Sequence, residues 1–149
     1  MAKNKFTYDY SRPAVTADIV LFTLEEVPRI LLIKRKRDPF AGKWALPGGF
    51  VEEQERLVDA AKRELQEETG LENIELEQLH SFGDPGRDPR GWTITIAFLA
   101  RVHPQSLQPK AGDDAAEVEW FSSNALPDLA FDHAEIVRRA RNRIEDRKP

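Results

Sequence analysis

The chain has 149 residues, a net charge of −4 and no cysteine. That length fits one compact domain able to bury roughly 70% of the surface an unfolded chain exposes, and the missing thiols exclude disulfides, thiolate metal sites and cysteine nucleophiles, leaving oxygen or imidazole to hold any metal. The acidic balance, with a pI near 5.5, argues against a nucleic-acid module; no apolar run approaches the ~20 residues of a membrane span and residues 1–10 lack a basic-then-apolar leader, so the expectation is a cytoplasmic protein with neither nucleic acid nor membrane as partner.

In chain order, residues 14–24 form a β-rich run and residues 29–33 a second, paired across Glu25-Glu26-Val27-Pro28. Asp38-Pro39 and Gly42 punctuate, Trp44-Ala45-Leu46 is a brief apolar stretch, and Pro47-Gly48-Gly49 predicts a turn. A helix is predicted over residues 55–69, with Leu57, Val58, Ala61 and Leu65 at helical spacing and a stop at Gly70. Residues 74–82 and 92–102 are strand-like, joined by a Gly/Pro/Asp-rich segment, residues 118–121 add a short strand, and residues 134–146 read as an amphipathic helix with a basic outer face. Strands on both sides of a central helix, followed by a terminal helix, predict an α/β sandwich forming a single domain over residues 1–149. Trp44, Trp92, Trp120 and Phe121 lie in apolar segments and are expected in the core, whereas Phe6, Tyr8 and Tyr10 are freer to stack on a base.

The densest chemistry lies in residues 49–71, GFVEEQERLVDAAKRELQEETGL. At about 100° per residue, Glu64, Glu67 and Glu68 project from one side of the helix, and Glu64 and Glu68 fall at the edge of the stripe made by Leu57, Val58, Ala61 and Leu65. Three like charges at this spacing repel, and repel more strongly when desolvated. A divalent cation turns that repulsion into a site, and oxygen-only ligation points to Mg²⁺ or Mn²⁺ held jointly by carboxylates, waters and substrate phosphates. The plain alternative is a solvated helix face with Arg63 and Glu67 as an i, i+4 ion pair.

The full spacing goes further. Gly49, Glu55, Arg63, Glu64, Leu65, Glu67, Glu68, Gly70 and Leu71 occupy every fixed position of the pattern G-x5-E-x7-R-E-U-x-E-E-x-G-U, with U a bulky aliphatic residue. The chain thereby resembles the Nudix hydrolases, and Trp44-Ala45-Leu46-Pro47-Gly48 is similar to the usual lead-in of that box. The resemblance implies an α/β/α sandwich with a mixed β-sheet. It also implies that Glu64, Glu67 and Glu68, with the Gly48 carbonyl, are metal ligands, that Glu64 and Glu68 carry catalysis, and that Gly49, Glu55 and Arg63 support them. Gln54 and Arg56 stand where many members have glycine and a small hydroxyl residue, which leaves the loop and the helix cap open.

Outside the box, residues 82–91 (FGDPGRDPRG), 10–16 (YSRPAVT) and 129–133 (LAFDH) resemble ADP-ribose pyrophosphatases and the related ADP-ribose-sensing regulators of NAD metabolism, as does the placement of Pro85. The resemblance implies ADP-ribose as substrate, cut to AMP and ribose 5-phosphate by a homodimer; the alternatives are a nucleoside triphosphate or other dinucleotide substrate, or a non-catalytic ADP-ribose sensor. Such sensors carry an appended DNA-binding region and a commonly eroded box. Here every box carboxylate is present and only Arg147-Lys148-Pro149 follow the final helix, so hydrolysis is the expectation. Arg12, Arg87 and Arg90 are candidate substrate-binding residues, a guanidinium being able to fork phosphate oxygens; alternatively, Arg87 and Arg90 pair with Asp84 and Asp88 in a turn-rich connection. Asp113, Asp114 and Glu117 form a second acidic group, from which the resemblance implies a further ligand or the base that deprotonates water, Glu117 being the first choice and an acidic surface loop the alternative. His80, His103 and His133 lack paired ligand spacing and are left out of the metal site, His133 reading as a structural partner of a helix cap through Asp132.

Overall fold

Strand β1 (Ala14–Thr23) organises the fold, because neighbours cover it on both edges and both faces. The structure is a computed structural model that describes residues 5–112 and 114–149. β1 pairs antiparallel with β2 (Arg29–Arg35) through Phe22 and Ile30, the turn between them being the one expected. It pairs parallel along its whole length with β6 (Thr93–Val102), from Ala14 opposite Thr93 to Thr23 opposite Val102. β5 (Glu77–Phe82) lies antiparallel outside β6, β3 (Trp44–Ala45) and β7 (Ala115–Ser122) both pair with β2, and β4 (Gly48–Phe50) pairs with β1. One parallel pair among antiparallel neighbours makes the sheet mixed.

Successive side chains of a strand point to opposite faces. Ala17, Ile19 and Leu21 therefore pack with Ala60, Ala61 and Leu65 of α1 (Leu57–Thr69), while Val20 and Phe22 pack with Ile136, Val137, Ala140 and Ile144 of α2 (His133–Asp146). A strand covered on both faces reads as a continuous apolar run rather than as an alternation, as β1 does. One helix on each face of a mixed sheet is the α/β/α sandwich expected.

Four local readings need correction. Residues 48–50 are a strand rather than only a turn: Gly48 lies opposite Asp18 and Gly49 opposite Ala17, an approach that a side chain would block, since a Cβ on Gly48 would overlap the Ala17 carbonyl oxygen and Asp18 Oδ1. α1 begins at Leu57, which is 36% exposed and not in the buried stripe. Gln54 just before it adopts φ 61°, the left-handed conformation a glycine takes without strain, and Arg56 at the cap position makes no side-chain cap bond. β5 starts at Glu77, with Ile74 buried against α1 from the loop ahead of it. Trp92 is 54% exposed: it precedes β6 and contributes its carbonyl to the Ala14 N–H while its ring stays outside. The other aromatics pack as expected, Trp44 meeting Phe121 edge-on at 4.8 Å and Trp120 lying against the α1 core. Among the described residues no helix is long and apolar enough to cross a membrane.

Leu65 is the side chain that fixes α1 to the sheet, at 1% exposure. Leu65→Ala is expected to lower unfolding free energy by about 2–5 kcal/mol in urea denaturation; a loss below about 1 kcal/mol would mean that this layer is not packed as described.

Candidate active site

α1 brings its carboxylates to the sheet edge occupied by β4. Glu68 is buried, and its Oε2 accepts the Gly48 N–H at 3.0 Å. Burial pushes its carboxyl up from 4.5 to about 8 despite that hydrogen bond, with the charges of Glu64, Asp18 and Asp114 adding to the rise. Glu64 is also raised by burial, against the opposing pull of Arg63. The carboxylate of Glu64 lies where a Cβ on Gly49 would stand, so glycine at 49 is what gives it room. Glu67 is half exposed and meets Arg63 Nη1 at 3.2 Å.

Arg63 is the brace of this corner. It donates to both oxygens of Glu55 at 2.8 and 2.9 Å, to Glu64 at 2.7 Å and to the Phe50 carbonyl at 3.0 Å. The Arg63 hydrogen bonds, then the Glu52 N–H, hold the Glu55 carboxyl down at about 2. The box residues expected to support the carboxylates therefore touch them, or touch the arginine that does.

Gly48, Gly49 and Glu68 also line a cleft shared with Asp18, Arg35, Arg87, Arg90 and His133. Arg90 forks the buried carboxylate of Asp88 at 2.8–3.2 Å, yet its guanidinium lies in the cleft 4.7 Å from the Phe50 ring and 5.2 Å from the Phe131 ring. Arg87 pairs not with Asp84 but with Asp132, at 2.8 and 2.6 Å. Arg12 is exposed and stacks on Tyr8 at 3.8 Å, outside the residues that line the cleft.

Of the second acidic group, Asp113 lies outside the described residues. Asp114 bears electrostatically on both Glu64 and Glu68 and meets Arg37 at 3.9 Å. Glu117 stands on β7 opposite Lys34, with their charges 3.9 Å apart. His133 is buried and structural, as read, but through a different contact: its Nδ1 accepts the Leu46 N–H at 3.0 Å, while Asp132 at the cap position makes no side-chain cap bond and holds Arg87 instead.

Sequence reasoning missed Arg35 and Asp18. Arg35 ends β2, donates to the Pro39 carbonyl at 2.7 Å and is lowered in pKa by burial and by the neighbouring Arg90. Asp18 is a buried carboxylate inside the apolar run of β1, bound by the Thr95 hydroxyl at 2.6 Å; an acid among Val, Ile and Leu was the available signal.

The donor set suits a hard cation. Among the described residues no three acid or histidine groups already converge as a ready cage, but Mg²⁺ is ordinarily held by one or two carboxylates with waters and phosphates completing its shell. Two carboxyl groups raised by burial beside the two glycines of β4 meet that requirement.

Comparison with known proteins bears on what this corner belongs to. The NUDIX domain model matches residues 12–140. The chain is 49% identical over 129 residues to the ADP-ribose pyrophosphatase of Methanocaldococcus jannaschii, covering 87% of this chain and 73% of that one. It is 38% identical over 144 residues to the ADPR responsive transcriptional repressor NtrR of Acinetobacter baylyi, covering 93% of this chain but spanning only 57% of the repressor's length. Among solved structures, the NUDIX domain of Shewanella oneidensis NrtR complexed with ADP ribose aligns with a TM-score of 0.81 at 35% identity, covering 92% of this chain and 94% of that one. The chain belongs to the Nudix family. It is a hydrolase acting on pyrophosphate bonds, in a family that generally uses divalent metals.

The raised carboxyl of Glu68 gives a pH signature in metal-free protein. With its folded value near 8 and its ordinary value at 4.5, the folded chain keeps a proton that the unfolded chain releases, so the stabilisation is full below 4.5 and is lost as pH climbs through 8. Glu68→Gln cannot ionise and should gain melting temperature over the parent in chelator, the gap widening from about pH 6 to about pH 9. A gap that stays constant with pH would contradict the burial of this carboxyl.

Proposed function

We propose that the chain is a Mg²⁺- or Mn²⁺-dependent hydrolase of ADP-ribose that releases AMP and ribose 5-phosphate. The observation that carries this reading is that Glu68 and Gly48 share one cleft with Arg87 and Arg90, so a diphosphate gripped at the carboxylates comes within reach of the guanidiniums. Support comes from the archaeal relative named ADP-ribose pyrophosphatase and from the similar NrtR domain complexed with ADP ribose.

In this reading Glu64, Glu67 and Glu68, with the Gly48 carbonyl, hold the cation. When bound, it neutralises the diphosphate and lowers the barrier to attack by water by several kcal/mol. Arg63, anchored by Glu55, keeps Glu64 and Glu67 aimed despite their mutual repulsion. Arg90 is locked by Asp88 between two rings and presents its remaining donors to phosphate oxygen with little orientational entropy to lose. Water adds to phosphorus, the anhydride P–O bond breaks, and the proton of the water passes to a carboxylate base. Glu117 is the base proposed from its place after the acidic loop; Asp114 is the rival, because its charge bears on Glu64 and Glu68.

Purified protein with Mg²⁺ is expected to release AMP from ADP-ribose faster than it hydrolyses nucleoside triphosphates, followed by chromatography of the products. Glu68→Gln should lower kcat by about a thousandfold, the equivalent of about 4 kcal/mol of barrier. Asp114→Asn and Glu117→Gln, compared in the same assay, identify the base by the larger loss of kcat. ADP-ribose bound without turnover would make the domain a sensor, and faster cleavage of triphosphates would make the substrate assignment wrong.

A further inference from the structure

In the motif LAFDH at residues 129–133 the chemistry above uses the Phe131 ring but neither Asp132 nor His133, yet the two sides of the cleft meet on those two residues. On the substrate side, the Asp132 carboxylate takes both donors of Arg87, 45 residues away in sequence, and the arginine's side chain is only 5% exposed. Asp132 stands at the cap position of α2 without making a side-chain cap bond, so no contact within the helix accounts for it. On the metal side, His133 accepts the Leu46 N–H at Nδ1. A backbone N–H can only donate, so the imidazole proton sits on Nε2, which faces Asp18 Oδ1 at 3.7 Å. Burial depresses the basicity of this imidazole, the direction that favours the neutral form required of an acceptor at Nδ1. Leu46 lies two residues before Gly48, whose N–H binds Glu68.

We propose that Asp132 and His133 are positioning residues that hold Arg87 and the Gly48 strand in fixed register with each other. The proposal rests on the functional reading given above, in which those two groups grip opposite ends of one diphosphate. Adjacent residues at the start of one helix make both contacts, so their separation is set by a single peptide unit rather than by two independent loops. The preceding residue adds to the constraint. Phe131 adopts φ 53°, a left-handed conformation that is strained for a bulky side chain, and its ring lies against both Arg35, at 4.9 Å, and Arg90, at 5.2 Å. Core packing alone would ask only for an apolar residue at 133; a buried imidazole with one defined tautomer does more than fill space. Register matters because a misplacement of about 1 Å at a reacting centre can cost about a hundredfold in rate.

The two contacts can be separated by substitution in the full chain. Mn²⁺ affinity, read from the electron paramagnetic resonance signal of the free ion without substrate, reports the metal side; KM and kcat for ADP-ribose report the other. Asp132→Asn should raise KM about tenfold with a smaller loss in kcat and leave Mn²⁺ affinity within about twofold. His133→Leu should weaken Mn²⁺ binding by about tenfold or more, and His133→Asn, whose amide oxygen can stand where Nδ1 stood, should bring it back to within about threefold of the parent. If the leucine variant fails to fold, His133→Gln serves instead: its amide reaches the Nε2 position rather than Nδ1, so it should bind Mn²⁺ more weakly than the asparagine variant. Unchanged KM in Asp132→Asn, or asparagine no better than leucine or glutamine, would overturn the proposal. A parent protein that binds Mn²⁺ but leaves ADP-ribose intact would overturn the substrate reading alone, and the Mn²⁺ comparison would still decide the proposal for the metal side.

Discussion

The burial of Glu68 against the Gly48 N–H is the constraint around which the rest of the site is arranged. A carboxyl moved from 4.5 to about 8 represents about 5 kcal/mol of unfavourable charge burial once it is ionised. The side chain cannot escape that cost by turning outward, because α1 is held by Ala60, Ala61 and Leu65 against the face of β1. Glu64 and Glu68 flank Leu65 on the helix and go where that packing sends them. The hydrophobic core thus sets the electrostatics of the cleft: the apolar contacts that stabilise the sandwich also hold two acids out of water.

The counter-charge is distributed unevenly. Arg63 serves Glu55, Glu64 and Glu67 and is tied to the Phe50 carbonyl, so one guanidinium relieves the outer acids and fixes β4 to the helix at once. Among the described residues it makes no hydrogen bond or ion pair with Glu68, whose hydrogen-bond partner is the neutral Gly48 N–H. A hydrogen bond from a neutral amide offsets only part of the penalty of burying a charge. On the proposed function, Glu68 is therefore the acid that a divalent cation would relieve most. Gly48 and Gly49 matter to the same end, since they let backbone and carboxylate close to a distance that any side chain would prevent.

What the sequence made legible was the local part. Helical periodicity put Glu64 and Glu68 at the margin of the buried stripe, and the structure buries Glu68 and leaves Glu64 partly buried, because a 3.6-residue repeat is decided within a few turns and needs no knowledge of partners. β4 was not legible: Pro47-Gly48-Gly49 has the chemistry of a turn, and only pairing with β1, some thirty residues earlier, makes it a strand. The cleft's far wall was hidden for a related reason. The partner of Arg87 is Asp132 rather than the nearer Asp84, and Arg35 sits at the end of an apolar strand with nothing local to mark it. Trp92 misled because aromatic character predicts burial, whereas the alternation of β6 begins one residue later, at Thr93.

On the proposed function, the identity of residue 68 is itself informative. A glutamine there could still accept the Gly48 N–H through its amide oxygen and would avoid the penalty of an ionised group in a dry place. A site that only recognised a nucleotide through Arg87, Arg90 and the aromatic walls would lose nothing by that exchange. The acid becomes worth its destabilisation when its charge is matched, and a divalent cation content with oxygen donors is such a match in a cysteine-free chain that offers no thiolate. The same logic explains why Glu55 and Arg63 are not redundant with Glu68. They fix the acids that can be neutralised from within the protein, and leave Glu68, which they do not touch, facing the cleft where a diphosphate and its cation would arrive together.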